Sequence, residues 1–188
     1  MTLRLSGGRR LQSPPGSTAR PTASRVRLAV MNLLAAELPN CHWLDLCCGS
    51  GLMGCEALQR GAQAVLAVER DRRIAAVARS NLEAVARGLV AGGGCAPARV
   101  DVVQQEVLRF LAGGAAGQSY GLIYVDPPYE AGLHAPVADA VAQGGWLAPQ
   151  GTLVWECGSS WVPDLPSGWW LRDKRRYAST TVLLLEQN

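Results

Sequence analysis

The sequence contains no apolar run that approaches the roughly 20 residues a helix needs to cross a membrane. Its arginine-containing N-terminus also lacks the apolar segment and small-residue cleavage site of a secretory signal. Both absences predict a cytoplasmic protein. At 188 residues, the chain is long enough for one domain with a sizeable core and too short for two full domains.

The six cysteines form no CxxC pair and have no histidine nearby at the spacing of metal ligands. Neither His42 nor His134 lies where the pattern would place a base for a catalytic thiol. The sequence therefore predicts reduced, structural cysteines and no metal site.

Acidic residues are absent before Glu37, although arginines are frequent there and the net charge is +3. Arginine clusters without acidic neighbours are typical of surfaces that bind phosphate backbones. For residues 1–17 a solvated, disordered tail is the better prediction, because Pro14-Pro15-Gly16 breaks the chain. The first predicted helix, residues 21–36, is predicted to carry Arg25 and Arg27 on its polar face. The candidate RNA-binding residues are Arg9, Arg10, Arg20, Arg25 and Arg27, and a second basic group consists of Arg172, Lys174, Arg175 and Arg176.

Hydrophobic periodicity and turn residues predict alternating strands and helices along most of the chain. The predicted helices are residues 21–36, 52–60, 71–87, 107–111 and 133–143. The predicted strands are residues 41–47, 64–68, 99–103, 122–125, 151–156, 169–177 and 180–185. This alternation indicates an α/β fold with a doubly wound, mostly parallel, seven-stranded sheet, in which the last two strands form an antiparallel hairpin. The predicted organisation is a basic N-terminal arm, residues 1–19, and one domain, residues 20–188.

A glycine-rich turn is predicted at Gly49-Ser50-Gly51-Leu52-Met53-Gly54, which matches the pattern GxGxxG. It follows a predicted strand and opens a predicted helix, so its glycines would let a ligand approach the backbone. Alone, the pattern is weak, because dinucleotide-binding folds share it.

Acidic residues at the first three predicted strands narrow the choice of ligand. Asp45 lies inside an apolar strand and would need a partner such as a cationic amine. Glu69 is placed to accept hydrogen bonds from a ribose diol, and Glu106 from an adenine amino group. These groups suit S-adenosylmethionine and its product S-adenosylhomocysteine, whereas Asp45 would repel the pyrophosphate of NAD. The candidate cofactor-binding residues are Asp45, Gly49, Ser50, Gly51, Glu69, Arg70, Glu106 and Val107.

The fourth strand ends abruptly at Asp126-Pro127-Pro128-Tyr129. Prolines have no amide donor, so their carbonyls and the Asp126 carboxylate offer acceptors at an edge where open α/β sheets bind ligands. Together with an aromatic ring, these acceptors suit a planar group that carries an NH2, such as a nucleobase. A strand followed by a Pro-Pro turn without function is the alternative interpretation.

Several stretches together make the chain resemble the RsmD family of class I, Rossmann-like methyltransferases. They are Arg20-Pro-Thr-Ala-Ser-Arg-Val-Arg27, Leu44 to Leu58 around the glycine turn, Arg60-Gly-Ala62, Val68-Glu-Arg-Asp-Arg72 and Val125-Asp-Pro-Pro-Tyr129. The resemblance implies methylation of the exocyclic N2 of a guanine in 16S ribosomal RNA, of the guanine-966 type. It also implies that Asp126 and the Pro127 carbonyl hold the amine, that Pro128 completes the corner, and that Tyr129 stacks on the base. The chain departs from the family pattern at Leu28, at Cys47-Cys48 and in a shortened arm.

Other functions remain open at this stage. Within the same chemistry, the chain could methylate the N6 of a DNA adenine or the N5 of a protein glutamine. Outside it, the alternatives are an NAD-dependent oxidoreductase and a non-catalytic RNA-binding or ribosome-assembly module. The predicted partner is 16S ribosomal RNA or an assembling small subunit, and nothing in the sequence demands more than a monomer.

Overall fold

The computed structural model describes residues 3–14, 24–93, 98–128 and 132–187. Its elements alternate along the chain as predicted. The strands are β1 (Leu3–Arg4), β2 (Arg10–Leu11), β3 (His42–Leu46), β4 (Ala64–Glu69), β5 (Arg99–Gln104), β6 (Tyr120–Val125), β7 (Leu147–Gly158), β8 (Trp169–Tyr177) and β9 (Thr180–Gln187). The helices are α1 (Ser24–Leu33), α2 (Leu52–Gln59), α3 (Arg72–Ala91), α4 (Val107–Leu111) and α5 (His134–Gly144). None of the described helices is long and apolar enough to cross a membrane.

Seven strands form one sheet in the order β5-β4-β3-β6-β7-β9-β8. The strands from β5 to β7 are parallel, and β9 pairs antiparallel with both β7 and β8. The predicted doubly wound sheet with a C-terminal hairpin is therefore confirmed. The strand order reverses between β3 and β6, which creates a crevice outside their carboxyl ends where such folds bind ligands.

Two hydrophobic cores lie on opposite faces of the sheet. One contains buried residues of α1, α2 and α3, such as Val30, Cys55 and Leu82. The other contains buried residues of α4 and α5, such as Leu111 and Val141. Because both faces of the central strands are covered, β3 and β6 are buried on both sides and mostly apolar, with Asp45 of β3 as the exception.

The helix ends follow from local chemistry. Asp71 caps α3, since its carboxylate accepts hydrogen bonds from the amides of Arg73 (2.8 Å) and Ile74 (3.0 Å). Gly145, with φ of 66°, ends α5 in the left-handed conformation that glycine adopts at little cost. The predicted boundaries differ most in three places: α1 ends at Leu33 with turns after it rather than at residue 36, α3 continues past Gly88 to Ala91, and β7 begins at Leu147 rather than at residue 151.

The prediction of a disordered tail at residues 1–17 is wrong for the described part of it. Strands β1 and β2 pair antiparallel as a small hairpin, and Leu3, Leu5 and Leu11 are buried in the core beside α1, α2 and α3. Burial of three leucines offsets the entropy of ordering this segment. The segment of residues 3–14, called the N-terminal hairpin below, is therefore folded onto the domain.

Candidate active site

The glycine turn and the Asp126 corner meet at the reversal of the strand order. The turn follows β3, and Asp126 follows β6, which pairs with β3 in parallel register from Trp43↔Leu122 to Leu46↔Val125. Both segments therefore leave the same edge of the sheet from neighbouring strands, about 5 Å apart. The crevice between them is where a bound donor and an acceptor group would be adjacent.

The glycine turn needs its glycines. Gly49 and Gly51 have φ of 54° and 73°, a region that residues with a Cβ rarely adopt. A Cβ at Gly49 would meet nothing within 4 Å, so the turn borders open space on that side. At Gly54 a Cβ would lie 2.9 Å from the Val65 side chain, so this glycine allows α2 to pack closely on the sheet. Close backbone approach and close helix packing are the roles that the pattern predicts.

Asp45 is almost fully buried beneath this turn, with 1% of its surface exposed. Its Oδ2 accepts a hydrogen bond from the Gly54 amide at 3.0 Å. Burial, opposed by that hydrogen bond and reinforced by the charge of Glu69, raises the pKa of Asp45 to about 7. A cation brought beside this carboxyl would favour its ionised form, so the site fits an ammonium group.

Glu69, at the end of β4, lies directly against the turn. Its two carboxylate oxygens accept from the amides of Gly49 (3.0 Å) and Asp71 (2.9 Å). Each carboxylate oxygen has a second lone pair, so the group retains acceptor capacity for a diol. Arg70 is exposed next to it and accepts a backbone hydrogen bond from the Gln104 side chain at 2.8 Å.

Glu106 has a structural role that the sequence did not reveal. It caps α4, with its oxygens accepting from the amides of Leu108 (3.1 Å) and Arg109 (2.9 Å). The carboxylate is exposed at the end of β5, while Val107 is buried. Its contact with an adenine amino group stays a prediction.

The glycine turn is also supported from behind by Asn81 of α3, which is 2% exposed. Its amide nitrogen donates to the Ser50 carbonyl (3.0 Å) and to the Gln12 carbonyl (3.1 Å). Its oxygen accepts from the Gln12 amide at 2.8 Å. One buried side chain thus joins the N-terminal hairpin to the turn.

The corner after β6 is only partly described. Asp126 is half-buried, Pro127 is buried and Pro128 is exposed. Tyr129 lies outside the described residues, as does Arg20 of the basic group. Burial, with smaller contributions from nearby carboxylates that include Asp126, raises the pKa values of Cys47, after β3, and of Cys157, near the end of β7. Asp126 directly follows β6, whose register with β3 and β7 places this residue at the carboxyl ends of those strands.

Sequence analysis missed a buried acid beside this corner. Glu156 of β7 is 3% exposed and accepts a hydrogen bond from the Tyr124 hydroxyl, while the Tyr124 ring stacks on Trp43 at 5.8 Å. Burial raises the pKa of Glu156 to about 7, and burial with the neighbouring charge of Glu156 raises the pKa of Tyr124. The available signal was an acid near the end of the fifth predicted strand, as at Glu69 and Asp126.

The arginines predicted to bind RNA separate into different groups. Arg10 and Arg25 are exposed. Arg9 is exposed as well, although it donates to the Ala84 carbonyl at 2.6 Å. The prediction that Arg27 lies on a polar face is wrong, because this side chain is buried and pairs with Glu56 at 2.9 Å. Its Nη2 also donates to the Arg4 carbonyl at 2.9 Å, so Arg27 has no face open to phosphate.

The described cysteines are free thiols, and their pKa values do not favour a nucleophile. Burial raises the pKa of Cys41 and of Cys47 to about 12 and that of Cys157 to about 11. His134 is buried against the Glu156 carbonyl, with Nε2 at 2.9 Å, and burial lowers its pKa. Within the described ranges, no cluster of His, Cys, Asp and Glu could hold a metal ion.

Comparison with known proteins identifies relatives along most of the chain. Ribosomal RNA small subunit methyltransferase D of Escherichia coli K12 is 30% identical over 169 residues, which cover 89% of this chain and 79% of the relative. The protein of the same name from Haemophilus influenzae is 27% identical over 164 residues, covering 87% and 81%. These similarities extend over both the glycine turn and the Asp126 corner.

Solved structures share the architecture. The yhhF protein of Escherichia coli superimposes with a TM-score of 0.80 at 29% identity, covering 100% of this chain and 98% of that one. The rRNA methyltransferase aviRa of Streptomyces viridochromogenes has a TM-score of 0.69 at 20% identity, covering 93% and 88%, and at that identity it is alike in fold alone. A family model described as "Conserved hypothetical protein 95" matches residues 5–186. The chain therefore belongs to this family, and its resemblance to the RsmD methyltransferases is confirmed.

Proposed function

We propose that this protein is an S-adenosylmethionine-dependent ribosomal RNA methyltransferase, and that it methylates the exocyclic N2 of a guanine in 16S ribosomal RNA, of the guanine-966 type. The observation that carries the proposal is the adjacency of two segments at the reversal of the strand order. The glycine turn, with Asp45 and Glu69, leaves β3 beside the Asp126 corner that leaves β6. The names of the relatives support ribosomal RNA as the substrate class.

The residues at the turn fit a donor that carries an ammonium and a ribose. Asp45 would face the ammonium, Glu69 the ribose hydroxyls and Glu106 the adenine amine. The backbone of Gly49, Ser50 and Gly51 would lie against the donor, with Arg70 and Val107 beside its sugar and base. When bound, S-adenosylmethionine supplies an electrophilic methyl group on sulfur. No metal takes part in this proposal.

The corner residues act on the amine. The lone pair of a guanine N2 is conjugated with the ring, so the nitrogen is a weak nucleophile. Acceptors at the Asp126 carboxylate and the Pro127 carbonyl would hold its two hydrogens, while Pro128 and Tyr129 border the base. The nitrogen forms an N–C bond to the methyl carbon as the C–S bond breaks to leave the thioether S-adenosylhomocysteine, and the methylated nitrogen then gives up one proton to the Asp126 carboxylate or to water. Orientation and electrostatics are sufficient, and no covalent enzyme intermediate is needed.

The substrate would be presented as an unpaired or splayed nucleotide of 16S ribosomal RNA or of an assembling small subunit, since N2 is otherwise engaged in pairing. Exposed Arg9, Arg10 and Arg25 would contact phosphate, and we keep Arg20 as a candidate. We further propose that the protein works as a cytoplasmic monomer, in which residues 20–188 form the methyltransferase domain.

The test is methyl transfer from labelled S-adenosylmethionine to 16S ribosomal RNA, followed by mass mapping of the modified nucleotide. RNA from cells that lack the protein is the substrate, because its target nucleotide is unmodified. A single N2-methylguanine, absent when the Asp126→Asn variant replaces the wild type, is the expected result. Label found instead in adenine N6 of DNA or in glutamine N5 of a protein, each offered as substrate in a parallel reaction, would contradict the proposed substrate while keeping the reaction class. Binding of NAD in place of S-adenosylmethionine would contradict the reaction class.

A further inference from the structure

We propose that Trp161, Lys174 and Arg176 form a second RNA-docking surface, called the hairpin surface, which binds the strand that flanks the target nucleotide. The inference rests on the proposed function, because it takes RNA as the substrate. It adds a contact site that lies on the C-terminal strands, far in sequence from the basic N-terminus. The inference is based on one exposed aromatic ring and on two cations that form no ion pair with a described residue.

The hairpin surface lies at the edge of the sheet that carries the candidate active site. Strand β7 is parallel to β6, so its end at Gly158 reaches the same edge as Asp126. Gly158 pairs with Thr180 at the start of β9, and the Ser159 amide donates to the Ser179 carbonyl at 2.8 Å. The segment after β7 and the turn between β8 and β9 therefore meet there.

Trp161 is unusually open to solvent for its size. Its surface is 56% exposed, more than that of the other exposed large apolar residues in the described chain, and its amide is held by the Gly158 carbonyl at 3.2 Å. The next residue, Val162, packs against the core under α5, which anchors this part of the chain. An exposed indole on an anchored segment provides a flat face on which a base can stack.

Lys174 and Arg176 of β8 lie on the same face of the sheet as this segment. They pair with Leu183 and Thr181 of β9, and directly paired residues point to the same side. Leu183 belongs to the core that Val162 also contacts. Arg176 is separated from Cys157 by only β9, a distance of about 10 Å across two strand spacings.

Lys174 and Arg176 differ from the neighbouring arginines because they have no ion-pair partner among the described residues. Arg172 pairs with Glu37 and Glu186, and Arg175 pairs with Asp173. In contrast, Lys174 and Arg176 are exposed and form no ion pair with any described residue.

RNA is the occupant that this combination fits. Unpaired cations beside a stacking platform match a phosphate backbone and an unstacked base. A second copy of this chain would have to place acids against Lys174 and Arg176. The described acid next to Lys174 on β8, Asp173, is already engaged by Arg175.

The test measures binding of a 16S ribosomal RNA fragment by fluorescence anisotropy over a range of salt concentrations, using the full chain. Trp161→Ala should weaken binding about fivefold or more, as expected for the loss of one stacked base. The double variant Lys174→Ala and Arg176→Ala should lower the slope of log K against log salt by about 1.4 to 1.8, as expected for two lost phosphate contacts. Affinity for S-adenosylmethionine should stay within twofold of wild type in every case.

Two matched controls separate this surface from general effects. Trp170→Ala removes an indole that is 44% exposed at the opposite end of β8, where it pairs with Glu186. Arg87→Ala removes an exposed arginine near the C-terminal end of α3. Both should leave RNA affinity and salt slope unchanged.

The outcomes distinguish this inference from the proposed function. If the wild type methylates RNA but the hairpin-surface variants bind it as the controls do, the hairpin surface has no role and the proposed function stands. If the wild type neither binds nor methylates RNA, both fail. A wild-type dimer in sedimentation that Trp161→Ala dissociates would assign the surface to self-association and overturn the inference.

Discussion

Arg27 of α1 and Glu56 of α2 form an ion pair inside the core, with Nε and Oε1 2.9 Å apart and exposed side-chain fractions of 7% and 0%. The N-terminal hairpin completes their hydrogen bonding. Both the amide and the hydroxyl of Ser6 donate to Glu56, and the Arg4 carbonyl accepts from Arg27. A buried pair of this kind is costly to break, because the remaining charge is left without a partner.

Replacing Arg27 with Ala should therefore lower the free energy of unfolding by about 3–5 kcal/mol. Chemical denaturation is the measurement. Arg25→Ala is the matched control, since Arg25 is exposed on the same helix, and it should change stability by less than about 0.5 kcal/mol. Arg25→Ala should instead lower the salt slope of RNA binding by about one unit. Equal stabilities of the two variants would contradict the role of Arg27.

Asp126→Ala should abolish methyl transfer while leaving affinity for S-adenosylmethionine within a few-fold of wild type. The carboxylate is proposed to hold the acceptor amine, and the turn that would hold the donor follows a different strand. Single-turnover kinetics and calorimetry measure the two effects separately. Asp139→Ala, at an exposed position on α5, is the control. Loss of donor binding in the Asp126 variant would mean that its role has been misplaced.

Glu69→Ala should weaken binding of S-adenosylmethionine by at least tenfold. The variant removes both the diol acceptor and the partner of the Gly49 amide, so it also loosens the turn. Glu83→Ala, a partly exposed glutamate on α3, should have no effect on the dissociation constant measured by calorimetry. An unchanged constant for Glu69→Ala would exclude this carboxylate from the ribose.

The pH dependence of donor binding should follow Asp45. Its pKa is raised from the usual 3.8 to about 7 by burial, so the protonated form predominates below pH 7 in the folded protein. A raised carboxyl pKa means that folding is favoured at low pH, and this contribution is lost as the pH rises from about 4 to about 7. The affinity for the donor should depend on pH in the opposite direction to stability, because an ammonium group favours the ionised form of the Asp45 carboxylate.

Affinity for S-adenosylmethionine should therefore increase between pH 6 and pH 8, measured by calorimetry. Asp45→Asn should bind the donor more weakly and show a flatter pH profile. The same variant should also lose part of the stability gain that the wild type shows between pH 8 and pH 5. A wild-type affinity that falls as the pH rises would contradict the assignment of the ammonium to Asp45.

The fold was predictable because most of its elements have strong local signals. Helix α4 was predicted at its observed bounds, and the hairpin of β8 and β9 follows from two predicted strands joined at Ala178-Ser179. The N-terminal hairpin was not predictable, since its strands have two residues each and are held by distant partners such as Asn81 and Glu56. Such contacts leave no periodic pattern in the sequence.

The positions of the glycine turn and of Asp126 were predictable because each directly follows a strand with a strong local signal, whereas the roles of these residues stay predictions. Arg27 was misplaced because the apolar stripe counted on α1 omitted Met31, which is buried one turn after it. Glu156 was missed because its importance depends on Tyr124 from another strand. A single sequence does not reveal such pairings, since they depend on strand order.

Asn81 connects the N-terminal hairpin to the glycine turn. Its side-chain amide forms hydrogen bonds with both Gln12 and Ser50, so the hairpin stabilises the glycine turn against which the donor would lie. Removing this end of the chain would therefore leave buried polar groups inside the domain without some of their hydrogen-bond partners. A version that begins after residue 14 would lose donor affinity along with stability, because the link from the hairpin through Asn81 to the turn would be gone.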